Sequence, residues 1–230
     1  MIKKNKTLTS VLRFFYHKTI VDYRKHREQQ LFLKNAPVAL QAVDQVFKEL
    51  NIQYWLEYGT LLGAIRDKTI IKHDYDIDIG LFLADYSPKI QKTLEKNGFK
   101  KKKTFLIDNG EYGREETWLY KNISIDLFYF IKTKNTFCSH SFRNERGKSW
   151  AKTIQDNGGL IVEEVYFPYT GFKKIYFLGK QYPVPTDSHQ HLKAHYGEGY
   201  LIQDLVWDYR NMAKNVKILN NKIGIYKEYL

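Results

Sequence analysis

Apolar residues recur at a helical period in several parts of the chain. Between residues 37 and 50 they lie three or four positions apart, which predicts a core-facing helix that begins at Pro37. Three more helices are predicted at residues 61–66, 88–96 and 188–195, the last capped by Asp187 and ended by Gly197. These segments form the helical part of the predicted fold.

Runs of β-branched and aromatic residues predict strands between these helices. The predicted extended segments are residues 53–57, 69–71 and 75–83, with hairpins at residues 117–130 and 175–183. Residues 135–160 carry mixed polar signals and are predicted to form loops and short strands. Because helices and strands do not alternate strictly, the pattern predicts an α+β fold rather than a doubly wound sheet.

Positive charge is concentrated at the start of the chain. The 230 residues carry a formal net charge of +12, and residues 1–27 hold eight basic residues against Asp22 alone. Because Leu8, Leu12 and Phe15 recur at helical spacing, residues 1–30 are predicted to form a basic amphipathic helix. Such a helix contacts an anionic membrane surface or packs on the domain with its basic face in water, and both interpretations stay open.

The sequence lacks the features of an exported, membrane-spanning or disulfide-bonded protein. It has no uninterrupted apolar run of the kind that a signal peptide or a spanning helix needs. A cytoplasmic location is therefore expected, with the inner face of the membrane as the surface open to the N-terminal helix. The single cysteine, Cys138, excludes an internal disulfide and a zinc site built on several thiolates.

Three aspartates alternate along one predicted strand. Asp74, Asp76 and Asp78 therefore share one face, with neighbours about 6 to 7 Å apart. Like charges at this distance repel unless a cation neutralises them or their pKa values rise. Oxygen ligands suit Mg²⁺ or Mn²⁺, so Asp76 and Asp78 are predicted metal ligands. Asp74 is predicted to contact the substrate. The alternative is an exposed strand edge whose charge prevents aggregation.

A further carboxylate lies in an apolar strand. Asp126 stands between Ile125 and Leu127, where burying a lone carboxylate is costly unless it is paired or bound to metal. It is predicted to complete the metal cluster, or to accept the proton of an attacking hydroxyl. A solvated position on an edge strand is the alternative.

Two segments are candidates for phosphate binding. Gly59-Thr60 fits a strand-to-helix turn whose free backbone N–H groups hold a phosphate, and Arg66 can add a bidentate contact one turn later. The lysine run at residues 100–103 is predicted to be a solvated turn, with phosphate contact as the alternative.

The strand-to-helix turn and the aspartate strand together carry a family resemblance. Residues 55–66 (WLEYGTLLGAIR) and 74–80 (DYDIDIG) resemble the LicD superfamily, and within it the branch of fukutin-related proteins. Further matches are residues 125–127, Pro185, Leu192 and Tyr196-Gly197. The resemblance covers residues 37–200, and the first block is specific to the superfamily.

The resemblance implies a nucleotidyltransferase-like fold, a mixed sheet flanked by helices, over residues 31–230. Members of the superfamily transfer a phospho-alditol or phosphocholine group from a CDP-linked donor to a glycan hydroxyl and release CMP. By resemblance, Asp76, Asp78 and Asp126 hold the metal. Tyr196 and Gly197 would lie near the donor, although locally they describe only a helix end.

Two departures from the superfamily pattern concern the donor and a second metal. Lys72-His73 precedes the first aspartate where the family has Pro-Trp, which leaves the identity of the donor open. The cysteine-based zinc site of the fukutin-related branch cannot form with Cys138 alone. His191 and His195 lie one helical turn apart without an accompanying Glu, so they are predicted to be a packed or solvated pair.

Two other functions are compatible with a basic composition. One is a nucleotidyltransferase that acts on RNA or protein, and the other is a non-catalytic nucleic-acid-binding protein. The sequence contains no recognisable module in which basic and aromatic residues interleave, which disfavours nucleic acid as a partner. The expected partners are a CDP-linked donor and a glycan or lipid-linked glycan acceptor.

Overall fold

The first and longest helix, α1 (Lys6–Leu50), packs its second half against the sheet. The computed structural model describes residues 6–230, with side chains from residue 26 onward. Because α1 continues through Pro37, the prediction that a helix begins there is wrong. Proline has no N–H and removes one helical hydrogen bond, but Ala36, Leu40 and Val43 around it are fully buried, and this apolar burial offsets the loss.

The predicted N-terminal helix is part of this same element. The side chains of Leu8, Leu12 and Phe15 lie outside the described side chains, as do those of the basic residues up to Lys25. Membrane contact by this segment and a domain boundary at residue 30 therefore stay predictions. Within the described range, no helix combines the length and the apolar character needed to cross a membrane.

Shorter helices follow along the described chain. They are α2 (Tyr58–Leu62), α3 (Pro88–Lys96), α4 (Trp150–Asn157), α5 (Ser188–Tyr196) and α6 (Tyr209–Met212). A π-helical turn at Gly63–Asp67 extends α2. The predicted cap of α5 is confirmed, because the side chain of Asp187 accepts a hydrogen bond from the Gln190 N–H at 2.9 Å. The sequence did not predict α4.

Ten strands form two sheets in the described part of the chain. They are β1 (Tyr54–Leu56), β2 (Asp76–Phe82), β3 (Lys100–Ile107), β4 (Gly113–Tyr120), β5 (Ile123–Lys132), β6 (Thr136–Arg143), β7 (Leu160–Pro168), β8 (Phe172–Phe177), β9 (Lys180–Pro185) and β10 (Val216–Glu228). The large sheet has the order β1-β2-β5-β4-β3-β10-β7-β6, and β8 pairs with β9 alone. The expected mixed sheet flanked by helices is confirmed.

The described strands of the large sheet include one parallel pair, β2 and β5. β2 runs parallel to β5, with Asp78 opposite Asp126, whereas the other paired strands described are antiparallel. β5 also pairs with β6 at Ile131 and Cys138, so a ring of hydrogen-bonded neighbours closes from β5 through β4, β3, β10, β7 and β6.

One face of β2 and β5 is apolar and supports the opposite, polar face. Ile77 and Ile79 of β2 and Ile125 of β5 are buried with Phe47 of α1 and Leu94 of α3. Because side chains alternate along a strand, this burial turns the aspartates of β2 and β5 toward the other face.

Several strand predictions are confirmed and others are corrected. The hairpins predicted at residues 117–130 and 175–183 are β4–β5 and β8–β9. No strand forms at residues 69–71, and residues 135–160 contain all of β6 and α4. The lysine run starts β3 instead of a solvated turn, because the buried Glu116 pairs with Lys101 at 3.1 Å.

Candidate active site

Three aspartates from two neighbouring strands meet on one face of the sheet. Asp76 and Asp78 stand two residues apart in β2, and Asp126 in β5 lies directly opposite Asp78. One carboxylate oxygen from each residue lies within 4.8 Å of the other two. The structure thus brings together the three residues that the sequence predicts as metal ligands.

Burial sets the electrostatics of this cluster. Burial and the neighbouring Asp126 raise the pKa of Asp76 to about 7. Burial, followed by the charges of Asp76, Asp74 and Asp126, also raises the pKa of Asp78 well above its usual range. The pKa of Asp126 is likewise raised by burial, against a hydrogen bond from Thr117 Oγ1 to its Oδ1 at 2.5 Å. The fold therefore holds like charges together at a cost in free energy.

This group of ligand atoms fits a hard divalent cation. It consists of carboxylate oxygens alone, which Mg²⁺ and Mn²⁺ prefer over nitrogen or sulfur ligands. The positive charge of such an ion would attract the three carboxylates and so lower the pKa values that burial and mutual repulsion raise. Asp76, Asp78 and Asp126 are therefore the residues that would hold it.

The Gly59-Thr60 turn is bonded to Asp78 in both directions. The N–H groups of Gly59 and Thr60 donate to Asp78 Oδ2 at 2.9 and 3.4 Å, and the Asp78 N–H donates to Thr60 Oγ1 at 2.8 Å. These two N–H groups were expected to hold a phosphate. In the structure they orient a carboxylate instead, because the adjacent strand β2 brings Asp78 within reach.

Gly59 also allows close approach of the turn to the carboxylates. A Cβ atom at this position would lie 2.9 Å from Asp74 Oδ2 and 3.1 Å from Asp78 Oδ2. Asp74 precedes β2, and burial raises its pKa to about 6 although His73 and Arg66 oppose the rise. The missing side chain thus lets the turn and the acidic residues share one small volume.

Glu57 fixes the start of the turn from inside the protein. Its side chain is completely buried and accepts hydrogen bonds from Trp55 Nε1 at 2.6 Å and from the Tyr58 N–H at 3.1 Å. Its Oε1 also forms a hydrogen bond with His191 Nε2 of α5 at 2.6 Å. The turn and α5, which lie far apart in sequence, are therefore held in one arrangement.

The two histidines of α5 form the predicted packed pair. The ring of His191 stacks on Phe167 with ring centroids 4.1 Å apart, and it is bonded to Glu57. His195 is buried, and its Nδ1 forms a hydrogen bond with Asn215 Oδ1 at 2.9 Å. Both side chains are thus structural.

A cleft of about 380 Å³ opens beside the turn. Gly59, Arg66, Asp74 and Tyr196, all predicted to bind substrate, line it. Its remaining walls come from the end of α2, the segment before β2, and the chain after α5; they include Leu62, Ile71, His73, Tyr200, Ile202, Leu205, Trp207 and Met212. The cleft is therefore built from three separate parts of the chain.

The predicted cleft residues differ in how free they are to contact a ligand. Arg66 donates from Nε and Nη2 to the two carboxylate oxygens of Asp67, both at 2.8 Å. The ring of Tyr196 lies 4.6 Å from that of Trp207, so an aromatic wall faces the cleft. Gly197 ends α5 and is not among the described residues that line the cleft.

The sequence did not indicate a further carboxylate near the cluster, Glu115. Glu115 lies in β4 two residues from Thr117, the partner of Asp126 in register. Burial, Asp126 and Asp76 raise its pKa to about 8, against the charge of Lys103. Thr117 was placed in a strand, and extending that strand back by two residues would have put Glu115 on the same face. The run of polar residues at 114–117 hid this signal.

Comparison with known proteins identifies the family of this chain. Residues 51–187 match the family described as "LicD/FKTN/FKRP, nucleotidyltransferase domain". Over 191 residues the chain is 26% identical to the ribitol-5-phosphate transferase FKTN of Mus musculus, an alignment that covers 83% of this chain and 38% of that protein.

Two shorter matches are to a second transferase and to a bacterial protein. The chain is 31% identical over 107 residues to the ribitol 5-phosphate transferase FKRP of Homo sapiens, covering 41% of this chain and 21% of that protein. It is 36% identical over 89 residues to an uncharacterised protein of Rickettsia prowazekii, covering 38% and 30%. The chain therefore spans less than two fifths of the length of these relatives.

The mixed sheet, the paired aspartates and the turn bonded to Asp78 define a nucleotidyltransferase-type domain. The matched region covers more than half of the 230 residues and includes all three aspartates of the cluster. The chain belongs to the LicD family.

Proposed function

We propose that this protein is a metal-dependent phosphotransferase. It moves a phospho-alditol or phosphocholine group from a CDP-linked donor to a glycan hydroxyl and releases CMP. The observation that carries the proposal is the convergence of Asp76, Asp78 and Asp126 beside a cleft large enough for part of a nucleotide. Phosphoryl transfer needs mainly positioning and charge stabilisation, and such a site is suited to both.

The cleft is the proposed site of the donor. Tyr196 and Trp207 offer flat apolar surfaces on which a pyrimidine base can stack. Arg66 lies at the same cleft and can turn its guanidinium from Asp67 to the donor phosphates. His73 stands where the family pattern differs, so it is a candidate contact for the head group.

The proposed reaction is a displacement at the phosphorus that carries the head group. The acceptor oxygen forms the new bond to this phosphorus, the bond to the bridging oxygen breaks, and CMP leaves with the electron pair. The hydroxyl proton passes to a carboxylate, for which Asp126 and Glu115 are the candidates. When held by Asp76, Asp78 and Asp126, Mg²⁺ or Mn²⁺ supplies positive charge that stabilises the diphosphate and the departing CMP.

Ribitol phosphate is the first group to test in the transfer. The matched proteins of Mus musculus and Homo sapiens are named as ribitol-5-phosphate transferases. The identity of 26 to 31% supports the reaction class more strongly than it supports the head group. Glycerol phosphate and phosphocholine are therefore the necessary comparisons, with a glycan or lipid-linked glycan as acceptor.

A panel of donors tests the proposal directly. The purified protein is incubated with CDP-ribitol, CDP-glycerol or CDP-choline, with and without Mg²⁺ or Mn²⁺, and CMP release is measured. We expect metal-dependent release from at least one donor and its loss in Asp76→Asn, which keeps the shape of the side chain. No release from any donor, or full activity in Asp76→Asn, would contradict the proposal.

Membrane association is a separate prediction. The basic N-terminal segment suggests a peripheral position on the inner face of a membrane, close to a lipid-linked acceptor. Deleting residues 1–27 should abolish binding to anionic liposomes and leave CMP release intact. Liposome binding that survives the deletion would favour a helix that merely packs on the domain.

A further inference from the structure

A row of polar residues crosses four strands in register. Lys103 of β3 lies opposite Thr117 of β4, Thr117 lies opposite Asp126 of β5, and Asp126 lies opposite Asp78 of β2. Residues in register on adjacent strands share a face, so all four project from the face that carries the carboxylates. The row therefore has a cation at one end and the metal-type cluster at the other.

Lys103 is close enough to act on the cluster. Two strand spacings separate it from Asp126, about 10 Å between backbones, and the long side chain of a lysine spans much of this distance. Burial raises the pKa values of Asp76, Asp126 and Glu115, and the charge of Lys103 opposes the rise at each of them.

The ammonium group of Lys103 has no hydrogen-bonding or charged partner among the described residues. No hydrogen bond or ion pair of Lys103 is found there, and its Nζ lies 5.2 Å from the ring centroid of Phe105. Lys101, two residues earlier, contrasts with it, because its Nζ binds Glu116 at 3.1 Å and is buried. The charge of Lys103 is therefore available to a ligand, whereas that of Lys101 is already paired.

Lys103 and the cleft lie on opposite sides of the cluster. Asp78 is bonded to the Gly59-Thr60 turn, which lines the cleft, whereas Lys103 follows beyond Asp126 and Thr117. A donor that extends from the cleft across the carboxylates would therefore bring its transferred phosphate group toward Lys103. An acceptor that approaches from the other side would also pass Lys103.

We propose that Lys103 is a phosphate-binding residue on the acceptor side of this site. This inference rests on the proposed function and names phosphate as the group that Lys103 binds. The phosphate is either the one in transfer or one that the acceptor already carries. An ammonium that has no fixed carboxylate partner can bind a phosphate through charge-assisted hydrogen bonds in either case.

The test compares Lys103→Gln with Lys100→Gln, a matched change at an exposed lysine in the same strand. CMP release is measured with water, with ribitol and with ribitol 5-phosphate as the acceptor. If Lys103 holds the phosphate in transfer, release falls about tenfold or more with all three acceptors. If it holds a phosphate of the acceptor, only the reaction with ribitol 5-phosphate weakens, through a KM about tenfold higher.

Lys103→Arg keeps the charge and should recover most of the lost activity, and equal melting temperatures of the variants confirm that they are folded. The proposal is overturned if Lys103→Gln stays within twofold of Lys100→Gln in all three reactions.

A binding measurement separates this inference from the proposed function. Metal-free protein is titrated with inorganic pyrophosphate by calorimetry, and we expect Lys103→Gln to bind about tenfold more weakly than Lys100→Gln. If the wild-type protein released no CMP from any donor while this difference held, the proposed function would fail and the anion site would stand. Equal affinities of the two variants would overturn the anion site.

Discussion

Two neighbouring glutamates in β4 show that the two faces of the sheet surround a buried charge with different partners. Glu116 points to the apolar face, where it accepts hydrogen bonds from Lys101, Arg114 and Trp118 at 2.8 to 3.1 Å. Glu115 points to the carboxylate face, and no hydrogen bond or ion pair of its side chain is found in the described part of the chain. One face pairs its buried charges, and the other holds like charges together.

This difference distinguishes a charged side chain that stabilises the fold from one that is available to bind a ligand or a proton. A buried ion pair with complete hydrogen bonding stabilises the position of its own residues and leaves nothing for a ligand. A desolvated group of carboxylates destabilises the metal-free protein and gains most from a cation or a proton. Matched Glu→Gln changes at adjacent positions can therefore distinguish the two faces.

The largest expected effect is on the paired face. Glu116→Gln leaves the buried charges of Lys101 and Arg114 without their counter-charge, so the free energy of unfolding should fall by about 3 kcal/mol. Urea denaturation followed by circular dichroism measures it. Glu115→Gln is the control, and equal destabilisation by the two changes would remove the distinction between the faces.

The next effect is a pH dependence of stability in EDTA. Asp76 and Glu115 have folded-state pKa values of about 7 and 8, above their ordinary values of 3.8 and 4.5. Between the ordinary pKa values and the raised ones, the unfolded chain releases protons that the folded protein retains. The contribution of these two groups to the free energy of unfolding is therefore full near pH 4 and is lost as the pH rises toward 8. The loss should be on the order of 2 kcal/mol and smaller in Glu115→Gln.

Thermal unfolding in EDTA at pH 5, 6, 7 and 8 checks this dependence. Addition of Mg²⁺ at pH 8 should recover the melting temperature, because the ion replaces the protons between the carboxylates. A wild-type protein and a Glu115→Gln variant with the same pH profile would contradict the raised pKa of Glu115.

Glu115→Gln should also slow catalysis by about tenfold in CMP-release assays, since one of the two candidate proton acceptors is lost while Asp126 remains. Glu116→Gln, assayed below its melting temperature, should retain the wild-type turnover. If Glu115→Gln turns over at the wild-type rate, Glu115 has no part in the reaction.

The smallest expected effect comes from Gly59→Ala. The new Cβ would meet the ends of the Asp74 and Asp78 side chains, which can move by a few tenths of an ångström. Turnover should fall about threefold, because the carboxylates are displaced slightly while the helical turn is kept. A normal rate at an unchanged melting temperature would show that the carboxylates tolerate the shift.

The sequence predicted the carboxylate face better than the lysine-containing strands. Alternation placed Asp76 and Asp78 together, and a lone Asp126 in an apolar strand pointed to the same site. Lys101 and Glu115 were not recognised because local polarity is typical of solvent exposure. Lys101 is buried by its ion pair with Glu116 on the next strand, and Glu115 by its position on the carboxylate face. Register between strands, which sets both positions, is not a local property.

The continuity of α1 was missed for a related reason. Pro37 is a normal first residue of a helix, and only packing of the surrounding apolar residues against the sheet shows that the helix continues through it. The turn was located correctly, but its N–H groups were assigned to a phosphate because the approach of Asp78 depends on tertiary structure.

The bond between Glu57 and His191 has a consequence for the order of folding. It joins residues 134 positions apart, so the acid that caps the turn meets its partner only after α5 has been synthesised. Contacts of such long separation form late, because the chain must first lose the entropy of closing a large loop. Strands β2 and β5 are synthesised before α5, so a nascent chain that ends before residue 188 would carry the aspartates and the turn bonded to Asp78, but not the bond that joins this turn to α5.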